Sequence, residues 1–123
     1  MHPRIWTLFT ALTLVGCAKK PTALETCTKL ALSGCREDKP EGLGAAATSK
    51  ATFDLPSVPG EHGQVLRFDR EDAYVQTEDA FQRAAMLAGP HRYGNKRALV
   101  FVQANSGLGL DEGKKLRAAV DAL

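Results

Sequence analysis

Two spacings of apolar residues along the chain predict strands and helices. Apolar and polar residues alternate strictly over residues 51–55, which predicts a strand. Residues 64–68 predict a second strand, antiparallel to the first across a loop rich in proline and glycine. Residues 97–103 predict a third strand, and the continuous apolar run at 98–102 is typical of a strand inside a sheet.

A short amphipathic helix is predicted over residues 22–33. Thr22 and Glu25 have the capping-box spacing, in which each side chain accepts the other residue's backbone N–H. Gly34 is the predicted stop, because glycine readily takes the left-handed conformation that ends a helix. The apolar stripe of this helix is Leu24, Cys27, Leu30 and Ala31.

Two further helices are predicted nearer the C-terminus. The first has Thr77 as its N-cap and ends at Gly89-Pro90, and residues 69–76 are either a loop or its first turns. The second begins at Asp111 as its cap. Their apolar stripes are Phe81, Ala84, Ala85 and Ala88, and Leu116, Ala119, Val120 and Leu123.

The order of these elements predicts an α+β fold. Residues 36–50 have no periodicity and are interpreted as a linker between the N-terminal helix and a domain at residues 51–123. The order ββαβα in that domain predicts two layers, a three-stranded sheet with helices on one face. The predicted inward-facing residues are Phe53, Leu55, Leu66, Phe68, Phe81, Leu87, Leu99, Phe101, Leu116 and Val120.

The first residues have the layout of an export signal. Arg4 precedes an apolar run over residues 5–15. A helix of this length spans about 16 Å, half of a hydrocarbon core of about 30 Å, so it is too short to cross a membrane. The layout predicts a secretory signal peptide at residues 1–16.

Leu14-Val15-Gly16-Cys17 resembles the lipobox of bacterial lipoproteins. The resemblance implies cleavage before Cys17, a diacylglyceryl thioether on its sulfur and an acyl chain such as palmitate on its new amino group. Ala18 stands where lipoproteins retained at the inner membrane carry aspartate, so the resemblance implies an outer-membrane location. Residues 17–21 would then be the lipid anchor and tether, with Lys19 and Lys20 attracted to an anionic membrane surface. The alternative is a buried core segment that contains an incidental cysteine.

The cysteine count fits the same interpretation. If lipid occupies Cys17, then Cys27 and Cys35 remain as a pair in an oxidising compartment, which favours a disulfide that staples residues 22–35. An unbroken helix would hold their Cα atoms about 12 Å apart, beyond the limit of about 7 Å, so the chain must fold back at Gly34. Two free buried thiols are the alternative.

Composition and charge exclude several classes of protein. The 123 residues are 44% hydrophobic and 24% charged, which is a globular mixture rather than a disordered or collagen-like one. With 16 basic and 14 acidic residues the net charge is +2, too balanced to indicate nucleic-acid binding.

Sequence motifs for catalysis or cofactors are weak. Residues 107–115 miss key positions of both the dinucleotide and P-loop patterns, and the acidic stretch 69–79 lacks the glycine and glutamate of a calcium loop. His62 and His91 are expected in exposed loops without a nucleophile motif nearby. We therefore expect no enzymatic activity, no metal and no cofactor.

The segment 91–97 is the strongest candidate binding surface. It is interpreted as a loop with Arg92, Tyr93, Lys96 and Arg97, and arginine and tyrosine are frequent in binding hot spots. A solubilising turn explains it equally well. The sequence as a whole predicts an outer-membrane lipoprotein with a binding or structural role in the envelope, for which an envelope protein is a possible partner. The alternatives are an inhibitor, immunity or exclusion lipoprotein and, more weakly, an envelope hydrolase using His62 or His91.

Overall fold

The computed structural model describes residues 20–123. The predicted signal peptide at 1–16, the lipidation site Cys17 and most of the tether 17–21 therefore lie outside the described residues. The helices within the described part are α1 (Ala23–Lys29), α2 (Glu71–Arg83), α3 (Ala85–Ala88) and α4 (Leu110–Asp121), with a 3-10 turn at Gly42–Gly44. The strands are β1 (Ser33–Asp38), β2 (Ser49–Asp54), β3 (His62–Arg67), β4 (His91–Asn95) and β5 (Val100–Ala104).

The strands form one five-stranded antiparallel sheet in the order β1-β2-β3-β5-β4. The predicted three-stranded sheet is therefore wrong, although the antiparallel pairing of β2 with β3 and the interior position of β5 are confirmed. The two strands that were not predicted are the two edges. The linker interpretation of 36–50 is also wrong, because these residues include the second half of β1, the 3-10 turn and the start of β2.

Helices cover both faces of the sheet, rather than one as predicted. On the first face, α1 and α4 bury Ala23, Cys27, Phe53, Leu55, Val65, Val102, Leu116 and Val120. On the second face, α2 and α3 bury Leu66, Phe68, Tyr74, Phe81, Ala88 and Phe101. The predicted inward-facing set is thus divided between two cores, and its member Leu87 is 89% exposed. Because α1 shares a core with the sheet, it is not set apart from residues 51–123.

The helix boundaries differ from the prediction at their caps. Thr77 is buried inside α2, which begins at Glu71, so residues 71–76 are helical and Thr77 is not an N-cap. Gly109, not Asp111, precedes α4. The capping box of Thr22 and Glu25 is confirmed.

The C-terminal end of α1 is set by an alanine. Ala31 takes a left-handed φ of 58°, and the N–H groups of Ala31 and Leu32 donate to the carbonyl oxygens of Thr28 and Cys27. This is a Schellman arrangement, which satisfies the last carbonyls of a helix. Gly34, the predicted stop, has a φ of 65° but lies within β1.

The direction of the strands gives the sheet two distinct ends. At the near end, the N–H of Ala23 donates to Ser49 Oγ at 2.9 Å, so the chain enters the domain beside the start of β2 and the end of β3. At the far end lie the loops 55–61 and 105–109 together with α3. A chain anchored through residues before Lys20 would therefore hold the near end toward the anchor.

Candidate functional site

The disulfide between Cys27 and Cys35 is confirmed, and it joins α1 to β1. The two Cα atoms are 6.0 Å apart, within the range that a disulfide can span. Cys27 is fully buried in the first core. Gly34 lets the chain approach β2 closely, since a Cβ there would lie 2.3 Å from Asp54 Oδ2.

Ion pairs fasten β1 to β2, the strand beside it. Asp54 Oδ1 accepts from the Arg36 guanidinium at 3.1 Å and lies 3.0 Å from His62 Nδ1. The hydrogen bond from Arg36, followed by that from His62, holds the pKa of Asp54 below its usual value against the opposing effect of burial. The Asp38 carboxylate accepts a hydrogen bond from the Thr52 hydroxyl at 2.9 Å and forms an ion pair with the Lys50 ammonium at 3.6 Å.

The two histidines have different surroundings. His62 is exposed at the start of β3, where it contacts Asp54. His91 is 3% exposed, so the prediction that it lies in an exposed loop is wrong. Its Nδ1 lies 2.7 Å from the Tyr93 hydroxyl and its Nε2 lies 2.7 Å from the Leu108 carbonyl oxygen. Both ring nitrogens of His91 are therefore engaged, Nδ1 within β4 and Nε2 with the loop before α4.

Residues 91–95 form strand β4 rather than the predicted loop, and the four candidate binding residues lie on and after it. Because side chains alternate across a strand, Arg92 and Tyr93 lie on opposite faces of the sheet. Arg92 donates to the Gly89 carbonyl oxygen at 2.8 Å and to Gln82 Oε1. Tyr93 lies under the Arg117 guanidinium, 5.2 Å from its ring centroid, a cation–π geometry. The four residues thus line one edge of the sheet but do not cluster on one face.

The turn after β4 carries the other two residues. Lys96 and Arg97 are exposed, and Arg97 donates to the Leu123 carbonyl oxygen at 3.3 Å. Asn95 fixes this turn, because its amide group donates to the Val120 carbonyl oxygen and accepts from the Ala98 N–H. The two cations therefore sit on a well-supported turn at the near end of the sheet.

Exposed apolar side chains lie at the other end of β4. Met86 is 100% exposed and Leu87 is 89% exposed, and both line a surface depression together with Arg92. Leu87 was predicted to face the core as part of a single helix that ends at Gly89-Pro90. The break at Ala84, with a φ of −95° and a ψ of 31°, turns α3 so that Leu87 points to solvent.

Arg67 and Arg117 were not among the sequence candidates. Arg117 is one of several charged residues on α4, and only its position over Tyr93 distinguishes it. Arg67 ends β3, where the sequence shows nothing more than a polar residue between two apolar ones. Each arginine stands out only in the folded chain, where Arg117 lies over Tyr93 and Arg67 lies beside residues 20–22 and 48–49.

Within residues 20–123, no group of three or more histidine, cysteine, aspartate or glutamate side chains is placed to hold a metal ion. None of the helices in this part of the chain has the length and apolar character needed to cross a bilayer. Comparisons with protein-family models, with curated proteins and with solved structures found no match for this chain.

Proposed function

We propose that this protein is a lipid-anchored binding protein of the bacterial cell envelope, held at the outer membrane through Cys17. In this proposal it binds a protein partner along β4 and the turn that follows. The lipobox-like residues and the export-signal layout support the anchor. The disulfide in the described part is compatible with an oxidising compartment outside the cytoplasm.

One observation carries the binding site: β4 is a sheet edge bordered by cations. It pairs with β5 on one side, and within residues 20–123 no strand pairs with its other side. An open edge accepts an added strand through backbone hydrogen bonds, while the side chains beside it select the partner. Arg92, Lys96, Arg97 and Arg117 lie along or beside this edge, and none of them forms an ion pair within the described residues.

These surroundings define the chemistry of the partner. We propose an extended segment of an envelope protein with acidic residues opposite Lys96 and Arg97, because charge complementarity selects partners and speeds association. At the far end of β4, Met86 and Leu87 offer an apolar contact for a hydrophobic residue of the same segment. The partner would thus be acidic at one end of the bound stretch and apolar at the other.

An inhibitor or exclusion lipoprotein would use the same surface. Its sign would be that the protein protects cells only when an incoming enzyme or phage attacks them. An enzymatic role finds less support. His91 is buried with both nitrogens engaged, and within residues 20–123 His62 is hydrogen-bonded to a carboxylate and to no hydroxyl or thiol. We propose no catalytic activity.

Crosslinking in native envelopes tests the binding site. A lysine-reactive crosslinker is applied to cells expressing the wild-type chain or the variant Arg92→Glu/Arg97→Glu/Arg117→Glu, which keeps the reactive Lys96, and the crosslinked peptides are identified by mass spectrometry. We expect a crosslink from Lys96 of the wild-type chain to an acidic, extended partner segment. Capture by the variant is expected to fall about tenfold or more, which corresponds to about 1.4 kcal/mol.

The matched control is Lys29→Glu/Lys39→Glu/Lys115→Glu, which changes the net charge equally at exposed positions away from β4. This control should retain the partner. Crosslinks that map only to other surfaces, or equal losses in the two variants, would contradict the assignment of β4. The anchor has a separate test, since intact mass should show cleavage before Cys17 with acyl chains attached, and Cys17→Ser should abolish both.

A further inference from the structure

A pocket opens at the near end of the sheet, where the chain enters the domain. It is lined by Lys20, Pro21, Thr22, Thr48, Ser49, Arg67, Phe68 and Asp69 and has a volume of about 250 Å³. A water molecule takes about 30 Å³ in the liquid, so the pocket has room for a small polar group with several waters. It belongs neither to the β4 edge nor to the disulfide.

Arg67 lies at this pocket with part of its hydrogen-bonding capacity unused. Its Nε is buried and has no hydrogen-bond partner, and within residues 20–123 no carboxylate forms an ion pair with its guanidinium. Buried polar groups nearly always have partners, so an unpaired guanidinium nitrogen calls for an explanation. Burial lowers the pKa of Arg67 while the charges of Asp69 and Glu25 act in the opposite direction.

Two hydroxyl groups, those of Thr48 and Ser49, line the same pocket with their hydrogens free to donate. Ser49 Oγ accepts from the Ala23 N–H at 2.9 Å and Thr48 Oγ1 accepts from the Asp69 N–H at 3.1 Å. The Thr22 hydroxyl is already engaged, because it accepts from the Glu25 N–H at 3.1 Å and makes a hydrogen bond with the Glu25 carboxylate. A hydroxyl that already accepts still has one O–H to donate. Within residues 20–123, the O–H groups of Thr48 and Ser49 have no protein acceptor. The pocket wall is therefore rich in donors.

Two carboxylates moderate the positive charge. Glu25 is turned toward the Thr22 N–H, from which it accepts at 2.9 Å, and the exposed Asp69 is one of the residues that line the pocket. Lys20 also lines the pocket and adds a second cationic residue to Arg67. A guanidinium, an ammonium and hydroxyl donors together match the several acceptor oxygens of a phosphate group.

We propose that this pocket binds the phosphate ester of a phospholipid headgroup next to the lipid anchor. The inference rests on the proposed function for its source of phosphate, because an acylated Cys17 would hold Lys20 and the near end of the sheet at the bilayer surface. The headgroup would fix the orientation of the domain, with the far end and the distal part of β4 directed away from the membrane.

The test follows the Arg67 side-chain Nε–H resonance by NMR in two arms. In the first arm, the anchored protein in detergent is titrated with inorganic phosphate, with sodium chloride at equal ionic strength as the reference. In the second arm, the same protein is placed in nanodiscs of phosphatidylglycerol or in nanodiscs of a neutral glycolipid without phosphate. We expect the Arg67 resonance to shift with inorganic phosphate and, more strongly, in the phosphatidylglycerol nanodiscs alone.

Variants make the assignment specific. Arg67→Gln should weaken phosphate binding about tenfold or more, measured from the shifts of backbone amides around Thr48 and Ser49, and Arg67→Lys should give a smaller loss. Arg36→Gln, which changes an exposed arginine elsewhere, should bind as the wild-type protein does. Circular dichroism spectra identify any variant that has not folded, and Arg67→Lys keeps the test decisive if Arg67→Gln fails to fold.

Each remaining outcome is informative. A response to inorganic phosphate without any difference between the two nanodiscs would overturn the lipid source. The lack of a response in both arms, or an equal response of Arg67→Gln, would overturn the pocket itself. A chain without acyl groups on Cys17 would instead contradict the proposed anchor, and the inorganic phosphate arm would still give its own answer.

Discussion

The two edge strands of the sheet are both polar, yet their exposed borders are built differently. β1 is closed by a disulfide to α1, by an irregular register between Ser33 and Arg36, and by ion pairs to β2. Open edges invite unwanted pairing, and bulges and charges are common ways to prevent it. The features of β1 therefore make a structural border.

β4 has a regular register with β5 along its whole length and forms no ion pair within residues 20–123. Its side chains are fixed instead by neutral contacts, such as those of His91 with Leu108 and of Asn95 with Val120. The cations beside it make neutral contacts, and no carboxylate side chain within residues 20–123 pairs with their charges. The difference shows that a polar strand can close a sheet or offer its edge, depending on whether its charges are paired within the fold.

The largest effect is expected from removing the disulfide at the β1 border. Cys27→Ala/Cys35→Ala should lower the free energy of unfolding by about 2.5 kcal/mol, because the loop between the cysteines is freed in the unfolded chain. Urea unfolding followed by circular dichroism measures this loss. This value is a lower bound, because Cys27 is fully buried and its replacement by alanine also removes packed atoms from the core.

The comparison of the two borders adds a second readout to this variant. The folded double variant should still give the Lys96 crosslink in native envelopes, because β4 lies at the opposite edge of the sheet. A folded variant that has lost this crosslink would show that the two edges are coupled. A loss of stability below about 0.5 kcal/mol would contradict the structural role of the disulfide.

The same difference explains how far the sequence could predict the fold. β2, β3 and β5 were predicted because their buried residues alternate or run together, as at Phe53 and Val102. Edge strands lack this pattern. β1 has the sequence Ser-Gly-Cys-Arg-Glu-Asp, in which only Cys35 contacts a core, so its strand character comes from pairing with β2.

The candidate site was predicted only in part, again because the sequence pattern does not reveal an edge strand. Arg92, Tyr93, Lys96 and Arg97 were identified by residue type, but the loop interpretation placed them on one surface. Their division between the two faces depends on the strand conformation of β4, which only the pairing with β5 establishes. The pocket at Arg67 gave no local signal, since its lining comes from residues 20–22, 48–49 and 67–69.

A smaller effect is expected at the entry to β1. Ala31 holds a left-handed φ of 58°, a conformation that disfavours residues with a Cβ, and glycine adopts it without this cost. Ala31→Gly should raise the free energy of unfolding by about 0.5 kcal/mol, after the greater freedom of glycine in the unfolded chain is subtracted. The exposed Ala118, inside α4, is the control, and Ala118→Gly should lower stability by about 1 kcal/mol. Equal losses in both variants would contradict the role given to Ala31.

The smallest effect concerns the charges that close β1 and depends on pH. Because the pKa of Asp54 is lowered in the folded protein, its ion pair stabilises the fold above the ordinary value of 3.8 and is lost as the pH falls through the folded value. In Arg36→Gln the pKa of Asp54 should rise toward 3.8, since the hydrogen bond from Arg36 is the largest cause of the shift. A carbon-detected NMR titration of the Asp54 carboxyl group measures this change, and Lys29→Gln should leave it unaltered. Below this pH, backbone hydrogen exchange should accelerate in β1 before it does in β4, because the ion pairs lie at β1. Simultaneous acceleration in both strands would contradict the view that paired charges stabilise the β1 border and not the β4 border.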